Sequence, residues 1–465
     1  MVSSHPISVL NPVVDLTREA FIYGLPLVLV DLTKEVSLKS KNPVNQFLNR
    51  TTFCTAGDTD VVRPNFDTYY SSAFFDLSCG PLVLGMPATG EQYYVMPLLD
   101  AFTNVIEGSP GKRTQQTQGG NYLLVGAKGL PDGFDTTGYT DVIQCGTDIV
   151  WAIGRFQVDN TDTNDYNVNG AGSVISLQSQ LSIRKPNGNS AAYGGNHAEA
   201  TITPNETVIN MPIKEFFARL NLLLLTNPPA PEDSKAMEKF KKIGVGPGLI
   251  PFENQGFDAI TWEAIAETPA WCINNLLTKK TASKDTNWIT NLNPKMGAYG
   301  TDYLLRARIG YNGLGANLIQ DAVYYSAEID ADGDDLDGSK YDYRITFNNG
   351  TPPNGAFWSL TMYNQDGFFI ENTIGRYAVG HDATAPLQNV GDNVVIFIQD
   401  KCAIPNTDPL YANWLPSAPG SSTTVPAPSG IFNVMIRVYY PDQCVWDKDY
   451  TPLWTPPVIE KVIRL

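Results

Sequence analysis

"RPNFDTYYSSAFFDLS", residues 63–78, opens with side chains that each need a hydrogen-bond partner and runs straight into an apolar, aromatic stretch. The second half has the β-branched and aromatic character of a buried strand. Similar runs follow: "GPLVLGMP" (80–87), "EQYYVMPLL" (91–99), "NYLLVGA" (121–127) and "DIVWAIGRFQV" (148–158). Glycine and proline at Gly80–Pro81, Pro87, Gly90 and Gly119–Gly120 supply turns between them. Short strands divided by turns at this spacing predict an antiparallel sandwich or barrel.

The pattern changes on either side. "VVDLTREAFIYGLPLVLVDLTKEV" (13–36) is apolar on most faces and reads as a buried helix, with Pro26 expected to kink or break it. Farther on, "MPIKEFFARLNLLLL" (211–225) carries Ile213, Phe216, Phe217, Leu220 and Leu224 on one stripe, and two more helical segments follow. Alternation returns in "YDYRITF" (341–347), "GAFWSLTMYN" (355–364), "NVVIFIQD" (393–400) and "GIFNVMIRVYYP" (430–441). The expected fold class is α+β and β-rich. Its expected parts are an N-terminal helical segment (1–50), a first β-sandwich (51–172), a mostly helical connector (173–320) and a second β-sandwich (321–465). The Pro/Ser/Gly-rich stretch 413–430 is long enough to be a mobile loop.

With 48 acidic against 32 basic residues, the chain has a formal net charge of -16. Such a field repels phosphate backbones and anionic lipid headgroups, so neither nucleic acid nor membrane is an expected partner. The longest apolar run, Gly24–Val30, is far shorter than the ~20 residues that cross a bilayer. No secretory signal is evident at the start, so the expectation is that the protein stays in the cell that makes it or that the chain is already mature. The six cysteines are scattered without C-x-x-C spacing and read as structural thiols, with pairing of Cys54 and Cys79 left open.

The three histidines, His5, His197 and His381, show no metal-ligand spacing, and nucleotide-loop and hydrolase-elbow motifs are lacking. In "DADGDDLDG" (330–338), Asp330, Asp332 and Asp334 alternate as a calcium loop requires. However, Asp335 stands where a sharp-turn glycine belongs and Tyr341 where a bidentate glutamate belongs, so a solvated hairpin turn is the better account of the run. Calcium at Asp330–Asp337 is the one cofactor the sequence suggests.

The polar cluster ahead of the first strand is the better candidate. Asp67 and Asp100 form an acid–base pair if the fold brings them together, with Arg63 or Arg113 keeping one ionised and Tyr70 as a third catalytic group. Tyr94 is positioned by type to polarise a bound oxygen. On this reading Asp67→Asn removes ligand binding with little loss of stability. The alternative is a structural network in which Asn65 and Asp67 satisfy turn amides and Arg63 bridges loops.

With these residues in view, the chain resembles proteins that pair domains of unknown function 1254 and 1214, found in bacteria, some fungi and large DNA viruses. The likeness rests on "RPNFDTYYSSAFFDLS", "YYVMPLLDAFTNV", "GKRTQQTQGGNYLLVG", "GAFWSLTMYNQDGFFIEN", "NWLPSAP" and "GIFNVMIRVYYP". It implies two jelly-roll-like β-sandwiches joined by helices, and supplies no activity. The matching positions are Arg63, Asn65, Asp67, Thr68, Tyr70, Tyr94, Met96, Asp100 and Arg113 in the first domain, and Trp358, Ser359, Tyr363, Arg376, Tyr377, Trp414 and Pro416 in the second. Such residues line pockets for sugars or organic acids, and they equally pin two sandwiches together. The expected ligand contacts are Arg63, Asn65, Thr68, Tyr94, Arg113, Trp358, Tyr363 and Arg376. The expected function is binding of a small polar organic or sugar-like molecule, with hydrolysis as the reaction two carboxylates would serve. The alternative is a structural, particle-associated protein that assembles through its sandwiches, and either reading is compatible with a homo-oligomer.

Overall fold

The computed structural model describes residues 11–39, 43–58, 63–114, 116–194, 203–278, 287–290, 292–348, 350–372, 374–380, 385–417 and 430–463. All three histidines and most of the expected mobile stretch 413–430 lie outside these residues.

The described part opens with helix α1 (Pro12–Lys39), which runs through Pro26 as a single element. It then forms β1 (Leu48–Asn49), β2 (Thr68–Asp76), β3 (Leu82–Met86), β4 (Tyr94–Val95), β5 (Leu98–Asp100), β6 (Gly120–Val125), β7 (Asp141–Gln144) and β8 (Ile149–Gln157). Helix α2 (Ala171–Gln180) and β9 (Ser182–Arg184) complete this part. One sheet has the order β1-β2-β8-β4, with β5 also on β8, and is antiparallel throughout. The other has the order β7-β6-β3-β9, in which only β6 and β7 run parallel. β9 thus draws part of the segment expected to be helical into the β-structure.

The strand period of two sorts each residue to a face. Tyr69, Ala73 and Phe75 of β2 turn inward against Leu82 and Leu84 of β3 and Tyr122 and Leu124 of β6, forming one core. Tyr70, Ser72 and Phe74 occupy the outer face. Phe74 stacks on Trp151 (centroids 5.2 Å apart), and both pack against the helices.

The helical layer is built around α1, with α3 (Pro204–Asn210), α4 (Ile213–Leu223), α5 (Ser234–Phe240), α6 (Ala259–Ala266), α7 (Thr268–Cys272) and α8 (Tyr303–Gly313). Because α1 is apolar all round, it is buried from Ala20 to Val30. Gly310 on α8 lies over Pro26, where a Cβ would stand 3.7 Å from the proline ring; the neighbouring helix therefore covers the site at which a break was expected. At the start of α3, Thr203 and Glu206 form a reciprocal capping box that satisfies two otherwise orphaned amides.

The C-terminal part contains β10 (Ile289–Thr290), β11 (Ala322–Ala327), β12 (Asp342–Phe347), β13 (Asn354–Asn364), β14 (Ala378–Val379), β15 (Asn389–Val390), β16 (Asn393–Gln399), β17 (Trp414–Pro416), β18 (Phe432–Pro441), the short helix α9 (Gln443–Trp446) and β19 (Ile459–Val462). These form an antiparallel sheet β10-β11-β18-β13-β14 and a second sheet β15-β16-β12-β19, with β17 parallel to β16. Alternation again sets the core: Leu360 and Met362 of β13 and Val434, Ile436 and Val438 of β18 meet Tyr343, Ile345 and Phe347 of β12.

The fold is therefore mixed α+β, with mainly antiparallel open sheets and no closed barrel among the described residues. No described helix is long and apolar enough to cross a membrane. None of the six cysteines is joined in a disulfide, and Cys54 and Cys79 are not paired.

Candidate functional site: a cavity between two sheets

The outer face of the β2–β8 sheet meets the outer face of the β11–β18–β13 sheet. Where they do not close on each other, a cavity of about 410 Å³ remains. Its floor follows from register: Tyr70 lies opposite Arg155 and Ser72 opposite Ile153 on β2 and β8, so all four side chains share one face. Across from them, Tyr324 of β11 lies opposite Arg437 of β18. Loop residues Arg50, Phe53, Cys54, Arg63 and Asn65 add further wall, and Leu314 closes the side toward the helices.

Arg155 is 7% exposed and Arg437 4% exposed. Arg155 donates to Asn317 Oδ1 (2.7 Å), the Gly315 carbonyl (3.1 Å), the Ile153 carbonyl (3.4 Å) and Tyr70 Oη (3.4 Å). Arg437 donates to Thr361 Oγ1 (2.8 Å), Tyr363 Oη (2.7 Å) and the carbonyls of Arg63 (3.1 Å) and Pro64 (3.4 Å). Burial works against the charge of both guanidiniums, yet neighbouring phenols, and Asp67 in the case of Arg437, hold their pKa values above the usual arginine range. Arg63 has a left-handed backbone (φ 53°), uncommon for a residue with a Cβ. It is held there by its amide on the Gly367 carbonyl (2.7 Å) and by a salt bridge to Glu328 (3.2 Å).

The predicted residues divide. Arg63, Asn65, Thr68 and Tyr70 line the cavity together. Asn65 also organises the turn, accepting from the amides of Asp67 (2.6 Å) and Thr68 (2.9 Å) while donating to Tyr439 Oη (2.5 Å). Asp67 is fully buried outside the cavity wall, its Oδ2 accepting from Ser359 Oγ at 2.8 Å.

The expected pairing of Asp67 with Asp100 does not form. The Asp67 carbonyl bonds to Val158 N, whereas Asp100 lies opposite Val150 on the same segment. Eight residues of extended chain separate those points, about 26 Å at roughly 3.3 Å per residue. Asp100 instead closes its own turn, accepting from the amides of Phe102 (2.8 Å) and Asn104 (2.8 Å) and from Asn104 Nδ2 (2.9 Å). Burial raises its pKa despite these bonds.

The others are also apart from the cavity. Tyr94 is buried and donates to the Gln116 carbonyl. Arg113 forms a two-pronged pair with Asp321 (2.5 and 3.1 Å). Trp358 points into the core between the C-terminal sheets, against Phe347. Tyr363 donates to the Pro64 carbonyl (2.7 Å) and supports Arg437 from behind. Arg376 donates to the carbonyls of Tyr411 (2.8 Å) and Trp414 (3.1 Å), pinning a loop.

The calcium expectation meets a resident cation. Lys461 Nζ lies 3.3, 3.2 and 2.5 Å from carboxylate oxygens of Asp330, Asp332 and Asp334. The ammonium thus occupies the place a metal would take, and no group of metal-ligating side chains is found among the described residues.

Two family models match the chain: a protein of unknown function, DUF1254, over residues 44–184, and a protein of unknown function, DUF1214, over residues 321–443. The chain is a two-domain DUF1254–DUF1214 protein. Every cavity residue except Leu314 falls within one of the two matched segments, so the cavity is a joint feature of the two domains. No curated protein matches the chain. The crystal structure of the VPA0106 protein from Vibrio parahaemolyticus is similar over 97% of this chain and 99% of its own, with a TM-score of 0.67 at 20% identity, a likeness of fold. An uncharacterised protein from Burkholderia cenocepacia aligns over 99% of this chain and 91% of its own, at 12% identity and a TM-score of 0.39.

Sequence reasoning missed Arg155, Arg437 and Tyr324. A signal was present: each arginine is a lone charge within an otherwise apolar strand, in "DIVWAIGRFQV" and "GIFNVMIRVYYP". Such a residue requires a polar surface on one face of the sheet.

Proposed function

We propose that this DUF1254–DUF1214 protein binds a small polar organic molecule in the cavity between its two domains, which we take as jelly-roll-like sandwiches spanning residues 51–172 and 321–465. The observation that carries the reading is the cavity itself. At about 410 Å³ it is in the range of small-molecule sites, and both domains contribute polar groups to an otherwise apolar wall. Hydrolysis by paired carboxylates is not part of the proposal, because Asp67 and Asp100 stand at opposite ends of β8.

A thermal-shift screen of sugars and organic acids, repeated on Ser72→Leu, tests this. Ser72 lies on the cavity floor, and among the described residues its Oγ accepts from Trp151 Nε1 alone (2.9 Å). A leucine there fills space at the cost of one hydrogen bond. Ligands should stabilise the wild type and lose most of that effect in the variant. Equal stabilisation of both proteins would place the ligand elsewhere.

A further inference from the structure

Two cross-strand pairs of the same kind contribute to the cavity wall. Tyr70 pairs with Arg155 in the first domain's sheet and Tyr324 with Arg437 in the second's. Each guanidinium is more than nine-tenths buried, yet each hydrogen bond it makes goes to a neutral oxygen. Neither forms an ion pair with a carboxylate among the described residues. Asp67, which lies outside the wall, acts on Arg437 through its field. Arg50 and Arg63 add two more guanidiniums, and no aspartate or glutamate lines the cavity. In a chain with 48 acidic and 32 basic residues, an acid-free wall with four arginines runs against the composition.

Donor accounting agrees. A guanidinium carries five N–H groups. Arg437 engages Nη1 once and leaves Nε without an acceptor among the described residues; Arg155 engages Nη2 once. Tyr70 Oη accepts from Arg155 and Tyr324 Oη accepts from Asn317 Nδ2 (3.3 Å), which leaves each phenol proton available to donate. Buried cations without a paired anion are costly, and a planar fork is suited to two-pronged capture of a carboxylate. Trp151, Ile153 and Leu314 give the same cavity an apolar side.

We infer that the ligand is an organic carboxylate, its carboxylate seated by Arg155 and Arg437 with the Tyr70 and Tyr324 hydroxyls as further donors, and its apolar body against Trp151, Ile153 and Leu314. This rests on the ligand-binding reading above and narrows it to one chemical class.

The test is calorimetric titration of the full chain with acetate, succinate and benzoate, with their amides acetamide, succinamide and benzamide, and with inorganic phosphate, all at matched ionic strength. At least one acid should bind about tenfold or more tighter than its amide, because charge-assisted bonds are roughly twice as strong as neutral ones. Arg155→Gln should abolish that preference. The acid–amide comparison uses the unaltered protein, so a folding defect in the variant does not obscure it, and Tyr324→Phe should weaken acid binding with a smaller structural change. If amides bind as well as acids, the carboxylate inference fails and the cavity reading stands. Binding of phosphate but no carboxylate would overturn it in favour of a phosphoryl ligand. Binding of none of these would overturn it together with the cavity reading.

Discussion

Ser359 Oγ donates to Asp67 Oδ2 at 2.8 Å, joining the two domains through a bond in which both residues are fully buried. Asp67 also contributes to the field that keeps the buried Arg437 charged. This makes Asp67 a group that holds the sheets together, and it reverses the expectation that its replacement would leave stability nearly untouched. Asp67→Ala should lower stability by about 3 kcal/mol, since it leaves buried polar partners uncompensated. Ser359→Ala should cost about half as much. Urea unfolding of both variants checks this, and an Asp67→Ala midpoint equal to wild type would show the carboxylate to be dispensable to the fold.

Asp100 provides a pH-dependent counterpart. Burial raises its pKa above the ordinary aspartate value in the folded state, so the folded protein holds this proton more tightly than the unfolded chain. Its contribution to stability is fully present below the unfolded pKa and is lost as pH rises through the raised folded pKa. Asp100→Asn has no such proton. The stability difference between variant and wild type should therefore move in the variant's favour from about pH 4 to about pH 7. Urea unfolding at both ends of that range would detect the change, and a constant difference would show that Asp100 titrates alike in both states.

Much of the architecture could be read from periodicity, because alternation identifies the face a residue occupies. In β18 it separates Val434, Ile436 and Val438 from Arg437 and Tyr439 without any structure. Alternation does not reveal what the outer face meets. Arg437 is met by the turn at Arg63–Pro64, a contact 373–374 residues away in sequence. Residue type alone suggested Asp67 and Asp100 as a pair, but strand register decided their separation. Arg63, Asn65, Thr68 and Tyr70 were legible as a site because they are neighbours in sequence at the start of one strand.

Lys461 is the partner that local reading of the acidic run could not supply. It reaches Asp332 and Asp334 from 129 and 127 residues away, on the edge strand β19. The three carboxylates hold its pKa above the usual lysine value, led by the hydrogen bond to Asp334. Lys461→Met should lower the melting temperature by leaving three aspartates facing one another, and added salt should recover part of the loss by screening them. Calcium should not raise the melting temperature of the wild type while the ammonium remains. A clear calcium-dependent rise in the unaltered protein would mean that the metal displaces the lysine.

The cysteines separate by environment, which a thiol titration can resolve. Cys79 is exposed, while Cys145 and Cys272 are buried and burial pushes both thiols up to about 12. The reactive species is the thiolate, and at about pH 8 a thiol with such a pKa is ionised in roughly one molecule in ten thousand. Reagent access is blocked as well, since Cys272 lies in the helical core with α1 and Cys145 in the core of the N-terminal sheets. An aromatic disulfide reagent followed by peptide mass mapping should label Cys79 first in the native protein. Cys145 and Cys272 should react only after denaturant is added, at rates that follow unfolding. Labelling of Cys272 as fast as Cys79 under native conditions would mean that the helical layer opens readily, contrary to the buried apolar stretch of α1 from Ala20 to Val30.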